Sequence, residues 1–246
     1  MKVSVAIITR DAADDLDRCL AALGFADEIV VLDQGSGDHT ATVCARHGAA
    51  LHQTQWLGFG PTKAKATGLC RNRWVLSVDS DEEVSPELAA AIAALPDVPV
   101  EAAFAVNRLS RFLGRWIRHC GWHPEHVVRL FDRERAAFDD KPVHEAVHAD
   151  GPVGRLPGIL RHHTYRTMEQ YLGKLDRYTT LAAAELHARG RRSSPLGAVA
   201  RGHAAFWRMW LLQGGFRDGA AGLVLCHGSA FYVLSKYVKL WRLGPR

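Results

Sequence analysis

The sequence predicts an α/β fold: a doubly wound, mostly parallel sheet followed by a C-terminal helical appendage. Short apolar runs shaped like buried strands alternate with segments of helical spacing over the first half of the chain, and the connections between them are brief. From Thr167 onward the strand pattern disappears and only helical spacing remains.

Val3 to Ile8 reads as a first buried strand, and Asp14 to Leu23 as a helix with apolar Leu16, Cys19, Leu20 and Leu23 before Gly24 stops it. The step repeats with a strand at Glu28 to Leu32, a helix at Asp38 to His47 ended by Gly48, and a short strand at Ala49 to Gln53. A helix at Thr62 to Cys70 and a strand at Arg73 to Val78 follow. Ser85 is placed to cap the next helix, Pro86 suits its first turn and Pro96 lies past its end, so it should run to about Leu95. After a strand around Ala102 to Asn107, the stretch from Arg108 to Val143 loses its period and gathers Trp116, His119, Gly121, Trp122, His123 and Pro124, as a substrate-facing loop region would. Thr167 and Gln170 then have capping-box spacing, with Met168, Tyr171, Leu172, Leu175, Tyr178 and Leu181 as the apolar stripe of a helix that Gly190 ends. These signals divide the chain into a core, residues 1–165, and a helical, basic, amphipathic appendage, residues 166–246.

A chain of 246 residues that is 48% hydrophobic supports one α/β domain plus a smaller appendage, and it shows neither repeats nor low-complexity stretches. The net charge of +5 is concentrated late. From Val199 onward Arg201, Arg208, Arg217, Lys236, Lys239, Arg242 and Arg246 face Asp218 as the only acid. Trp207, Trp210, Leu211, Leu212 and Phe216 accompany them, and a greasy aromatic face beside Lys and Arg suits an anionic membrane surface better than nucleic acid. Five scattered cysteines, an odd number, read as free thiols of a reducing compartment. The first apolar run stops at Thr9-Arg10-Asp11, too short for a signal peptide. His227, Lys236 and Lys239 interrupt the segment Gly222 to Trp241, so it reads as interfacial rather than spanning. The protein is expected in the cytoplasm, peripheral on the inner face of the cytoplasmic membrane.

Ligands of an open parallel sheet bind outside the carboxyl ends of its strands. Asp11 follows strand one, Asp33 ends strand two and Asp79-Ser80-Asp81-Glu82 ends the Trp74 to Val78 strand, so three acidic sites converge on one edge. An acid at a strand end is often only a turn former, but here the Asp-x-Asp follows a nearly continuous buried strand and a second strand also ends in an acid. Such carboxylates can hold Mg²⁺ or Mn²⁺, which neutralises a departing diphosphate.

The segments Val30-Val31-Leu32-Asp33-Gln34-Gly35-Ser36-Gly37-Asp38, Trp56-Leu57-Gly58-Phe59-Gly60, Lys63, Asp79-Ser80-Asp81-Glu82-Glu83, Gly121-Trp122, Arg129-Leu130-Phe131, His144-Glu145 and Lys174-Leu175-Asp176-Arg177-Tyr178-Thr179 carry a resemblance over nearly the whole chain. They resemble the small family 2 glycosyltransferases of GT-A fold, and within them the β-1,4-glucosyltransferases of lipopolysaccharide core assembly. The resemblance implies an inverting, metal-dependent transfer of a sugar, glucose from UDP-glucose, to a lipid-linked saccharide acceptor such as the lipopolysaccharide inner core. It also implies that Asp33 meets the uracil or ribose of the nucleotide-sugar donor, that Asp81 is the chief ligand of Mg²⁺ or Mn²⁺ with Asp79 beside it, and that Lys63 faces the diphosphate. Two positions depart from the family pattern: Asp11-Ala12 stands where Asn-Glu is usual, and Ala64 follows the lysine where Asn is usual.

An inverting transfer needs a carboxylate base opposite the leaving group. Glu145 is the candidate, oriented by His144, with Glu82 and Asp139 as alternatives. His162 either completes the metal shell, touches the diphosphate or is structural. Trp122 either stacks on the acceptor sugar or belongs to the core. The cluster His119-Cys120-Gly121-Trp122-His123-Pro124-Glu125-His126 invites a zinc reading but lacks the paired Cys-x-x-Cys spacing of a zinc site. Two rival functions are a metal-dependent nucleotidyltransferase acting on a sugar phosphate and an inactive membrane-surface binding module. The first would place a glycine-rich loop after strand one, where this chain has Thr9-Arg10-Asp11-Ala12-Ala13; the second would not need Asp33, Asp79, Asp81 and Glu145.

Overall fold

The computed structural model describes residues 1–139 and 146–244, in two compact units. The first comprises Met1–Arg108 and Glu125–His163, the second Leu109–Pro124 and Thr164–Arg246.

In the first unit the chain runs β1 (Val3–Thr9), α1 (Ala13–Ala21), β2 (Glu28–Asp33), α2 (Thr40–Arg46), β3 (Ala50–Gln53), α3 (Phe59–Gly68), β4 (Trp74–Asp79), β5 (Glu82–Val84) and α4 (Pro86–Ala93). It continues through β6 (Ala103–Phe112), whose last residues enter the second unit and pair with β7 (Arg115–Trp116). After β8 (Glu125–Asp132), β9 (Ala136–Phe138) and β10 (Val147–Ala149) form a small antiparallel ladder, and β11 (Val153–His162) closes the unit. The main sheet has the order β3-β2-β1-β4-β8-β6-β11-β5 among the described residues. Its first four strands are parallel, whereas β4 meets β8, and β11 meets β5, antiparallel.

The α/β architecture follows from the alternation along β1, all seven residues of which are buried. Val5 and Ile7 pack with Leu16, Leu20 and Val43 of the first two helices on one face; Ala6 and Ile8 pack with Ala66 of α3 and with Cys70 on the other. Successive side chains of a strand point to opposite faces, so a strand covered by helices on both sides must be apolar at every position. Each such Val or Ile contributes about 1.5–3 kcal/mol by burial.

The sequence expectation of an irregular stretch from Arg108 to Val143 is corrected by β8, β9 and the long β6. Charged residues such as Arg108, Glu125 and Arg129 stand among their buried apolar residues and break any helical or continuous apolar period. Arg108, for example, sits opposite Glu125 in the β6–β8 ladder. Ser85 caps α4 as expected, accepting the Leu88 amide at 3.3 Å.

The second unit holds α5 (Met168–Ala188), α6 (Pro195–Trp207), a π-turn at Arg208–Leu212, a 3₁₀ turn at Gly215–Asp218 and α7 (Gly219–Leu243). Thr167 and Ser194 cap the first two helices. The buried face of α5 is Tyr171, Leu175, Thr179 and Ala183, whereas Leu172 and Leu181, read from the sequence as part of the stripe, are exposed. A strict four-residue spacing selects that face, and small Thr179 and Ala183 admit close packing. The unit's core joins Tyr171 and Leu175 to Phe112, Ile117, Cys120, Met209, Leu225 and Cys226. Asp218, nearly buried, accepts the amides of Arg118 and His119 at 3.2 and 2.8 Å and lies 2.9 Å from His119 Nδ1, pinning that loop to the 3₁₀ turn. Gly222 is required there, because a Cβ would stand 2.1 Å from the Gly215 carbonyl oxygen. All five cysteines are free and buried. No described helix is long and apolar enough to cross a membrane.

Candidate active site

The parallel register brings the strand-end acids together. Thr9 at the end of β1 lies opposite Asp33 on one side, and Ile8 lies opposite Asp79 on the other. Asp33 and Asp79 thus flank the end of β1, about 10 Å apart by two strand spacings.

Asp33 is buried and turns onto Ser36, whose amide lies 3.0 Å from Oδ2 and whose hydroxyl lies 2.5 Å from Oδ1. The Ser36 hydroxyl oxygen in turn accepts the Asp11 amide at 2.8 Å, and Asp11 Oδ1 accepts the Gly37 amide at 2.8 Å. Gly35 makes the turn at φ 84°, where a side chain would be strained. Asp38 Oδ2 accepts the Ala13 amide at 2.9 Å, supplying the cap that Ala12 cannot give α1. Through these bonds Asp33 organises the two loops and leaves the Asp11 carboxylate half exposed above them.

Lys63 projects from the first turns of α3 and is 3% exposed; its Nζ lies 2.8 Å from Asp79 Oδ1. Arg129, also buried, reaches Asp79 Oδ2 at 2.8 Å and Glu82 Oε1 at 2.5 Å. Glu82 additionally accepts the Asp79 amide at 2.9 Å and lies 3.3 Å from Arg108, which makes a two-pronged pair with Glu125 at 2.9 and 3.0 Å. Burial raises the Asp79 carboxyl, but the Arg129 and Lys63 charges outweigh it and hold the group well below the usual carboxylate range. Burial likewise works against the Arg129 guanidinium, and Glu82 and Asp79 more than offset it, so its pKa is raised. Among the described residues, three cations, Lys63, Arg108 and Arg129, pair with three carboxylates, Asp79, Glu82 and Glu125, beneath the edge of the sheet.

Beyond this network the chain turns at Ser80 and Asp81 into β5. The antiparallel register sets His162 opposite Glu82, and the His163 amide donates to the Asp81 carbonyl oxygen at 2.8 Å. These bonds bring His162 Nε2 to 3.4 Å from Asp81 Oδ2, with both side chains partly exposed, at 18% and 30%. Next along β5, Glu83 takes Arg161 at 2.7 Å and His163 Nε2 at 2.9 Å. Burial raises its pKa, but those partners override it and hold the carboxyl below its ordinary range.

The structure thus gathers Asp11, Asp33, Lys63, Asp79, Asp81 and His162 on one edge of one unit. Two of them face elsewhere than the sequence suggested: the Lys63 ammonium and both Asp79 oxygens are turned on one another and on Arg129, not outward. Arg129 and Arg108 carry this arrangement and were not singled out as site residues. The available signal was an arginine inside an otherwise apolar strand, Val127-Val128-Arg129-Leu130-Phe131. Glu82, weighed as a base, is enclosed by two arginines and an amide. His144 and Glu145 lie outside the described residues. Trp122 packs at the margin of the second unit's core, 6.1 Å by ring centroids from Phe112.

A divalent cation of the kind the fold implies prefers oxygen and imidazole donors, and Asp81 with His162 offers one of each. Among the described residues no group of three or more His, Cys, Asp or Glu side chains forms a metal site. The pair thus fits as part of the shell of such an ion.

Comparison with known proteins gives the family. Residues 4–150 match the family model for glycosyl transferase family 2. An uncharacterized glycosyltransferase of Rickettsia bellii (strain RML369-C) is 25% identical over 98% of this chain and 86% of its own length. The lipopolysaccharide core biosynthesis glycosyltransferase LpsC of Rhizobium meliloti (strain 1021) is 26% identical over 98% of this chain and 93% of its own. Among solved structures, the mannosyltransferase PcManGT from Pyrobaculum calidifontis, in complex with GDP-Man and Mn²⁺, superposes with a TM-score of 0.56 at 17% identity, covering 99% of this chain and 88% of that one. S. aureus TarS 1–349 in complex with UDP-GlcNAc gives 0.52 at 14%, covering 98% and 90%. The structural likeness is one of fold, of GT-A type; together with the match over most of the first unit, it establishes that this chain is a glycosyltransferase belonging to glycosyl transferase family 2.

Proposed function

We propose that the chain is an inverting, metal-dependent hexosyltransferase that moves glucose from UDP-glucose to a lipid-linked saccharide of the lipopolysaccharide inner core, working at an anionic membrane surface. The observation that carries this reading is the Asp81–His162 pair held at the strand edge above the buried Lys63–Asp79–Arg129 network. The likeness to LpsC over 98% of this chain and 93% of that one supports the acceptor class.

In this reading Asp81 and His162 hold Mg²⁺ or Mn²⁺ together with the donor's diphosphate. The ion offsets the negative charge of the departing nucleoside diphosphate. Asp79 acts as a positioning residue: its two cations fix the strand end and with it the turn that aims Asp81. Asp33, spent on Ser36, shapes the loops, and the exposed Asp11 carboxylate makes the polar contact with the uridine. Glu145 takes the proton of the attacking acceptor hydroxyl, with His144 beside it; Glu82 is unsuited to that task because its oxygens already accept from Arg129, Arg108 and the Asp79 amide. The enclosed Lys63 ammonium steadies Asp79 instead of meeting the diphosphate.

Membrane attachment is assigned to the second unit. Trp207, Leu211, Leu212 and Phe216 are exposed around the turns between α6 and α7, together with Arg208 and Arg217, while the one acid of that region, Asp218, is nearly buried. Apolar area and cationic charge on one turn suit an interface of anionic lipid.

The test is transfer itself. Purified protein is incubated with a panel of nucleotide sugars, Mn²⁺ or Mg²⁺, and an inner-core acceptor lacking the sugar, and the product is analysed by mass and linkage. The expected result is one added glucose in β-linkage; an α-linked product would overturn inversion, and preference for another donor would overturn the sugar assignment.

A further inference from the structure

The loop between β3 and α3 carries two large apolar side chains in the open, Trp56 at 47% and Leu57 at 51% exposure. It is not a slack loop. The Thr54 amide donates to the Asp33 carbonyl oxygen at 2.8 Å, extending the β2–β3 ladder past the sheet. Lys65 Nζ donates to the Thr54 hydroxyl at 2.8 Å, and the Leu57 amide to the Thr62 hydroxyl at 3.4 Å. Phe59 meets the Trp56 ring edge-on at 4.8 Å, fixing its orientation, and Gly58 at φ 99° swings the chain into α3.

The two ends of this loop are tied to the two acids of the site. Its first residue bonds the backbone of Asp33, and a few residues past its end Lys63 bonds the carboxylate of Asp79. Thr54 to Lys63 therefore spans the interval between the ends of β2 and β4, across the end of β1. Trp56 and Leu57 thus stand exposed side by side on a loop whose backbone and ring orientation are pinned. A planar hydrophobic ring held still at that edge matches the π-face of a nucleobase, which stacks on aromatic side chains whatever its hydrogen-bonding pattern.

We propose that Trp56 is the platform on which the nucleobase of the donor stacks, with Leu57 completing the apolar rim. This rests on the reading of the strand edge as the nucleotide site. It makes Trp56 a contact for the base, distinct from the polar contacts of Asp11 and the ion-holding pair Asp81–His162.

The experiment is equilibrium binding of UDP, in the presence of Mn²⁺ and without acceptor, to the parent protein, its Trp56→Ala and Trp56→Phe variants and Asp81→Ala, followed by calorimetry, with circular dichroism confirming the fold of each. Base–aromatic stacking measured by alanine substitution corresponds to about a 5- to 150-fold change in affinity. Trp56→Ala should lose affinity in that range, Trp56→Phe should recover most of it, and the Trp56→Ala enzyme should show a raised donor KM with kcat little changed. Wild-type UDP affinity in Trp56→Ala would overturn the proposal, and a raised acceptor KM in the same variant would assign the ring to the saccharide instead. If the parent binds no nucleotide, the reading of the edge falls with it; if the parent binds and only Asp81→Ala is impaired, the edge stands and Trp56 does not act there.

Discussion

Replacing Arg129 by Met is the sharpest probe of the buried network. Methionine keeps the apolar bulk of the side chain but removes the guanidinium that bonds Asp79 Oδ2 and Glu82 Oε1. Two cations, Lys63 and Arg108, then face three carboxylates. Removing one partner of a buried ion pair costs about 3–5 kcal/mol, because the group left behind stays desolvated without its counter-charge. For a chain of this size that corresponds to a fall in melting midpoint of about 6–20 °C. The pH dependence carries its own sign. In the parent, Arg129 and Lys63 overcome the effect of burial and hold Asp79 well below the usual carboxylate range, so its contribution is fully present above about pH 4 and is lost only as pH falls through the depressed folded value. In Arg129→Met the network holds one carboxylate more than it has cations, and burial of that excess charge raises the folded pKa of the group that bears it, so the destabilisation is greatest at high pH and shrinks as pH falls and the group takes up a proton. Urea unfolding at pH 8 and pH 5, followed by circular dichroism, measures both effects. Adding Glu82→Gln to Arg129→Met should restore much of the loss, since it removes the excess negative charge. A single variant as stable as the parent at pH 8, or a double variant no more stable than the single, would refute the reasoning.

The remaining predictions concern chemistry and location. Asp81→Ala should abolish transfer while leaving the melting midpoint nearly unchanged, because Asp81 is partly exposed at the turn and outside the Arg129 network; near-normal turnover in a folded Asp81→Ala protein would remove it from the site. Mn²⁺ should bind far more tightly with UDP present than alone, as two protein donors predict, and calorimetry showing equal affinity in both cases would point to a complete protein site elsewhere. Glu145→Gln should lower kcat by about 10²- to 10⁴-fold with donor affinity preserved; a loss of UDP-glucose binding with turnover spared would move Glu145 to the donor site. Sedimentation with anionic vesicles should be strong at low salt, weakened by raised salt, and reduced in Leu212→Ser/Phe216→Ser and in Arg208→Glu/Arg217→Glu. Failure to bind such vesicles at any salt would leave that turn without a role at lipid.

The sequence by itself determined the parallel half of the sheet, the helix caps at Ser85 and Thr167, and the convergence of Asp11, Asp33, Asp79 and Asp81 on one edge. These are consequences of local signals: a strand buried on both faces must be continuously apolar, a cap lies within three residues of the amide it satisfies, and the ends of parallel strands share an edge by construction. Tertiary structure alone decided what those acids do to one another. Arg129 meets Asp79 across 50 residues of sequence and Glu82 across 47, and His162 reaches Asp81 only because β11 pairs with β5. Such pairings depend on antiparallel register, and no local period encodes which strand becomes the neighbour of which. For the same reason the resemblance assigned Lys63 and Asp79 roles toward the donor and its metal that their mutual pairing does not display. In the fold, the cost of burying either charge alone obliges each to take the other as its partner.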